Sequence, residues 1–201
     1  MRSPKKTWDI NIANVKHMHW LHQKLSKLLP AMDLNDILRS EIVLVVSAFD
    51  CYIHDIVLSG MNDMFSSNKV ATKHYNDFCL PMSIVNQLLS TNDKNIREQI
   101  YHSSVKKLLA KDSYQAPSSI EYAMNILNVK KIWSLIGKQL GIPPSDVRKK
   151  LAIIIQRRNK IAHEADIQDF VSMDKNPISR FDVENVISFL DNVVNVIENN
   201  K

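Results

Sequence analysis

Ile42-Val43-Leu44-Val45-Val46-Ser47-Ala48-Phe49 is apolar nearly all round and runs on into Asp50-Cys51-Tyr52-Ile53-His54-Asp55-Ile56-Val57. Taken alone, the first half fits a buried strand as well as a helix, because a short apolar run carries no decisive period. Length separates the two: a buried strand closes at a turn signal after about 4–8 residues, and none occurs before Gly60. The stretch therefore predicts a long, buried second helix, capped at Asp33 and stopped by Gly60.

Around it the helical period recurs. Ile12, Val15, Met18, Leu21, Leu25 and Leu28 mark one face of a first helix from Ile10 to Leu29, closed by Pro30. Further helices are expected over Met82–Leu89, Lys94–Leu109 and Ser119–Gln139, with Ser118 or Ser119 as a cap behind Pro117. Gly141-Ile142-Pro143-Pro144 is the sharpest break in the chain. After it, Val147, Leu151, Ile154, Ile155 and Ile161 line the inner face of a helix beginning at Ser145 or Asp146. Asp166 to Pro177 reads as a connection. Phe181, Val183, Val186, Ile187, Leu190, Val193, Val194 and Ile197 define a last amphipathic helix. Three glycines and seven prolines in 201 residues are too few for the turns of a sandwich or barrel. The expectation is one all-α helical bundle over 1–201, with 61–118 as a less regular insertion.

The net charge of +5 and isoelectric point near 9.1 suit a polyanionic partner without requiring one. Cys51 and Cys79 show no CxxC spacing and read as two buried, reduced thiols. No apolar stretch reaches the roughly 20 residues of a membrane span, and the basic start Met1-Arg2-Ser3-Pro4-Lys5-Lys6 precedes no signal-type apolar region. A cytoplasmic protein is expected.

The chemistry gathers at Gln156-Arg157-Arg158-Asn159-Lys160-Ile161-Ala162-His163-Glu164-Ala165-Asp166. At about 100° per residue, Asn159, His163 and Asp166 fall near one face, whereas Arg158 and His163 diverge by roughly 140°. Those two converge only if the helix distorts or a second copy of the segment faces the first. The same residues would also suit the solvated face of any amphipathic helix.

This segment resembles the R-x4-H motif of the HEPN superfamily, with Arg158 as the arginine, Asn159 as the polar residue after it and His163 as the histidine. The continuation His163-Glu164-Ala165-Asp166 and the earlier Val46–Asp55 stretch are similar to the RiboL-PSP-HEPN family in particular. The resemblance implies a HEPN-type bundle and a metal-independent endoribonuclease, with paired motifs lining a cleft between two protomers. It also implies a setting in defence or as a toxin, and leaves room for an inhibitory or antitoxin partner.

The residue types suit that chemistry. Attack by the RNA's own 2′-OH needs a proton acceptor near neutral pH, as histidine provides. Charge spreading over the phosphoryl oxygens suits a forked, permanent cation. On this reading His163 is the general base or acid, Arg158 the phosphate and transition-state ligand, and Asn159 an orienting hydrogen-bonder. Arg157 and Lys160 would grip neighbouring phosphates of the RNA, with Asp50, Glu164 and Asp166 in support. No cofactor is expected.

HEPN toxins paired with nucleotidyltransferase antitoxins usually carry a modified tyrosine two residues after the histidine; Ala165 stands there, which argues against control by that modification. No metal is expected at His17, His19 and His22, since only His19 and His22 share a helical face and no nearby acid or thiol completes a tetrahedral set. No P-loop, GxGxxG or nucleophile elbow occurs. The alternatives are a non-catalytic HEPN module binding RNA or protein, and a helical adaptor carrying the motif by coincidence.

Overall fold

The computed structural model describes residues 3–169 and 171–201. The described residues form helices α1 (Pro4–Leu28), α2 (Asn35–Phe65), α3 (Lys73–Asn76), α4 (Met82–Ser90), α5 (Lys94–Leu109), α6 (Pro117–Ile126), α7 (Ile132–Leu140), α8 (Pro144–Glu164) and α9 (Arg180–Glu198). Between α8 and α9 lies an antiparallel hairpin of β1 (Ile167–Asp169) and β2 (Asp174–Lys175). The fold is all-α, as expected.

The opening apolar run forms the axis of the bundle. Helix α2 packs against α1, α5, α6, α8 and α9, so almost every side of it is covered. Phe49, Tyr52 and Ile53 are fully buried, and Trp8 of α1 meets Phe49 and Tyr52 edge-on. By length and composition α2 would cross a membrane, but more than half of its most apolar window is buried inside the protein. Covering of this kind is what makes an all-round apolar helix stable in water.

Several boundaries differ from the expected ones for identifiable reasons. Helix α2 does not stop at Gly60, which is buried inside it; a Cβ there would run into the Leu127 side chain, so the glycine permits close packing rather than a cap. Residues 61–118 contain the end of α2 together with α3, α4 and α5. Tyr101, Val105 and Leu109 of α5 are buried in the common core, which makes α5 part of the bundle, whereas α3 buries no residue and α4 only Leu88. The stretch expected as one helix over Ser119–Gln139 is two, α6 and α7, separated by Leu127–Lys131. Asn128 and Lys131 adopt positive φ there, which neither a glycine nor a proline announces. Cys51 and Cys79 are free but exposed, not buried: Cys51 lies on the open stripe of α2, and Cys79 lies between α3 and α4.

Helix α1 is fastened by ionisable groups as well as by apolar packing. The His19 ring sits between two carboxylates, Nδ1 at 2.7 Å from Glu41 Oε2 and Nε2 at 2.9 Å from Glu184 Oε1. Arg180 lies 3.3 Å from the same Glu184 oxygen. Glu41 is completely buried, and that burial raises its pKa against the opposing pull of His19. One turn on, His22 is buried; desolvation first, then the positive Arg180 and His19, hold its pKa below the ordinary value. Although the folded chain brings Glu41 and Glu184 to His19, the described residues contain no group of three or more His, Cys, Asp or Glu able to hold a metal ion.

His22 gives the fold a pH dependence of defined sign. Its native pKa is depressed, so its contribution is present above the unfolded value of about 6.5 and is lost as pH falls below it. Glu41, with a raised pKa, acts in the opposite sense and closer to the carboxylate range. Thermal unfolding followed at about pH 7.5 and about pH 5.5 should show Tm falling on acidification, and falling less in His22→Leu. Equal pH slopes for the two proteins would contradict this account.

Candidate active site

Helix α8 starts behind Pro143, with Pro144 at its first position and Asp146 in the first turn, where both suit a helix N-terminus. Only Val147, Leu151 and Ile154 are fully buried, one stripe packed towards α2 and α7. The remaining circumference is open over the first turns, and in the turns that carry the motif half-buried residues alternate with exposed ones.

The end of α8 is locked by one buried carboxylate. Ala165 and Asp166 both take left-handed backbone conformations, φ 49° and 60°, and both N–H groups donate to the carbonyl of Lys160. Such a conformation costs a non-glycine residue about 1–2 kcal/mol, so two in succession need compensation. Asp166 supplies it. Fully buried, its Oδ2 accepts from Arg39 Nε at 2.8 Å and from Arg157 NH2 at 2.7 Å. Asn176 Nδ2 donates to the Asp166 carbonyl at 2.9 Å, and the Asn176 N–H donates to the same oxygen. Both guanidiniums also donate to the Asn176 carbonyl, and Arg157 to that of Pro177. The hairpin is thereby clamped onto α2 and α8.

Two expected roles change accordingly. Arg157 was expected on RNA phosphates, but its guanidinium is part-buried and committed to Asp166 and two carbonyls. Asp166 was expected beside Asn159 and His163; the left-handed turn instead carries it beneath the helix, where it supports the motif by fixing the helix end. Arg39 and Asn176 complete this lock and were missed. The signal for Arg39 was available: a charge in an apolar helix must be paired. Nothing local marks Asn176.

Of the remaining motif residues, Asn159 is exposed, whereas Arg158 and Lys160 are half-buried. Arg158 NH1 donates to Asn159 Oδ1 at 2.9 Å, and Arg158 Nε is buried without a partner. Among the described residues no carboxylate forms an ion pair with Arg158 or with Lys160. His163 and Glu164 are exposed. Helix α8 is regular through Glu164, so the distortion that could bring Arg158 and His163 together does not occur. Within one chain their directions remain roughly 140° apart.

Asp50 lies away from these residues, about 16 Å along α2 from Arg39 at 1.5 Å per residue. Its Oδ1 accepts the Tyr114 N–H at 2.8 Å, and the Tyr114 ring packs on His54. Asp50 thus anchors the connection between α5 and α6. Ala116 and Pro117, just beyond Tyr114, form one side of an open groove of about 480 Å³ whose other side is α8, through Ala152, Ile155, Gln156, Asn159, Lys160 and Glu164. Asp50 was expected in support of the motif; the structure places it on the Tyr114 N–H instead, away from Arg158, Asn159 and His163.

The lock makes a sharp energetic claim. Removing one partner from a buried pair costs about 3–5 kcal/mol, so Asp166→Asn, nearly isosteric, should lower the free energy of urea unfolding by about that amount. A loss below about 1 kcal/mol, the range of exposed pairs, would mean that the network is ornamental.

A family model described as RiboL-PSP-HEPN matches residues 16–199, covering every element named above except the first turns of α1. Comparison with curated proteins and with solved structures gave no match.

Proposed function

The chain belongs to the RiboL-PSP-HEPN family, and from that premise we propose that it is a metal-independent endoribonuclease whose site is built from Arg158, Asn159 and His163. HEPN domains often cleave or bind RNA, and they commonly pair. The observation that carries the catalytic reading is the contrast between adjacent arginines. Arg157 is consumed by Asp166, whereas Arg158 and Lys160 keep their charge free of any carboxylate among the described residues. Unpaired cations beside an exposed histidine are what phosphoryl transfer asks for.

The reaction is transesterification. The ribose 2′-oxygen attacks phosphorus as its proton passes to a base, the bond to the 5′-oxygen breaks, and that oxygen receives a proton from an acid. The products are a 2′,3′-cyclic phosphate and a 5′-hydroxyl, with no external reactant. His163 serves as base or acid, Arg158 meets the charge developing on the phosphoryl oxygens, and Asn159 holds the Arg158 fork through its Oδ1. Lys160 grips a neighbouring phosphate. The chain works as one HEPN domain in the cytoplasm, in defence or as a toxin, and an inhibitory partner would act by covering the α8 face. Because Arg158 and His163 diverge within a protomer, the site combines Arg158 of one copy with His163 of a second.

With total RNA in EDTA, the wild type should release fragments ending in cyclic phosphate. His163→Ala and Arg158→Ala should each lose about 10²–10⁴-fold in rate. Metal-dependent cleavage, or cleavage surviving both substitutions, would sink the proposal and leave an RNA- or protein-binding module. Mixing the two inactive variants tests the shared site: random pairing leaves about a quarter of wild-type sites intact if the motifs act in trans. A mixture as inactive as its components would restrict both residues to one chain.

A further inference from the structure

The groove between α8 and the α5–α6 connection has a composition that separates it from a phosphate track. Its volume, about 480 Å³, lies within the range of about 300–1,000 Å³ typical of small-molecule clefts. The apolar part is Ile155, Ala152 and Pro117, which suits one face of a flat ring. Its polar part is two amides, Gln156 and Asn159, with one carboxylate, Glu164, and one ammonium, Lys160. The Glu164 carboxylate offsets the Lys160 ammonium, so the lining as a whole carries no net positive charge for a phosphate, and the carboxylate accepts from an N–H donor. His163 lies on the same helix face, one turn beyond Asn159.

We propose that this groove is a nucleobase subsite taking a base with an exocyclic amino group (adenine, cytosine or guanine) and disfavouring uracil. Its placement next to the cleaved phosphate rests on the ribonuclease reading. Glu164 accepts from the amino group, as carboxylates do from the cytosine amine, and Gln156 pairs with the adjoining ring edge, as amides do with adenine. Uracil sets a carbonyl on each side of its single N–H and brings one of them against the carboxylate. Asn159 links the subsite to the reacting group: its Oδ1 holds Arg158, which leaves its Nδ2 hydrogens for the base. On the far side, the Tyr114 N–H bond to Asp50 holds the connection that leads into Pro117 at the start of α6.

Cleavage of a randomised RNA pool, with both product ends sequenced, tests the inference. Wild type should deplete uridine several-fold at one position beside the cut, and Gln156→Ala and Glu164→Gln should flatten that bias while leaving Tm within about 1 °C, as exposed positions allow. Uridine at its input frequency in wild type, or an unchanged bias in both variants, would overturn it. A second measurement does not depend on turnover. Uncleavable 2′-O-methyl cytidine tetramers should shift the Gln156 and Asn159 side-chain amide resonances more than uridine tetramers do. If wild type cuts no RNA but shows this difference, the ribonuclease reading fails and the subsite stands; cutting without base bias fails the subsite alone.

Discussion

The bond pair from Arg39 and Arg157 to the single carboxylate oxygen of Asp166 is the constraint on which the motif depends. It joins a residue of the core helix, a residue of the motif helix and the turn that ends the motif helix. Burying a carboxylate with two guanidiniums is costly in itself, and apolar replacements of equal volume often match such groups in stability. What the network supplies here is placement. Without it, two adjacent left-handed residues would have no reason to persist, and the turns bearing Arg158 and His163 could fray, as helix ends without partners do.

The apolar axis helix carries its few charges for separate tasks. Arg39 faces the motif helix and reaches Asp166. Glu41, two residues on and so roughly 160° round the helix, faces the other way and holds His19 of α1. Asp50 takes the N–H of Tyr114 and thereby places the wall of the groove. Each of these groups has a polar partner from a distant part of the chain, as buried ionisable groups require. A helix that reads as a featureless hydrophobic core is thus also the frame that sets the site, the first helix and the groove in register.

How far this was legible in the sequence depended on the range of the interaction. Helix α5 falls on its expected bounds because Asp93 caps it and its period is local. Helix α9 begins at a Ser179–Asp182 capping box, one residue before the apolar period starts. The break between α6 and α7 was hidden, since Asn128 and Lys131 adopt left-handed conformations that no residue type there demands. The adjacent arginines show the limit most clearly. Arg157 and Arg158 are chemically identical and one position apart, and the turn at Asp166 is what pairs the first with a carboxylate and leaves the second with only Asn159 among the described residues. Residue type told which groups could act. Their division of labour came from tertiary pairing.

A straight helix holds Arg158 and His163 apart, and a lock at Asp166 keeps it straight up to its final residue. The same helix leaves Ala152, Ile153 and Ala162 uncovered, with Ile153 more than half exposed, so the motif face is flanked by apolar surface. A two-fold pairing through such a face is isologous: whatever Arg158 of one copy meets on the second, Arg158 of the second meets on the first. With the two directions roughly 140° apart on one regular helix, a second copy of the segment is the arrangement that could set an arginine opposite a histidine. The fixed end of α8 that holds Arg158 and His163 apart in one protomer has already met the entropy of ordering that helix end, so a partner docking on this face does not meet it again.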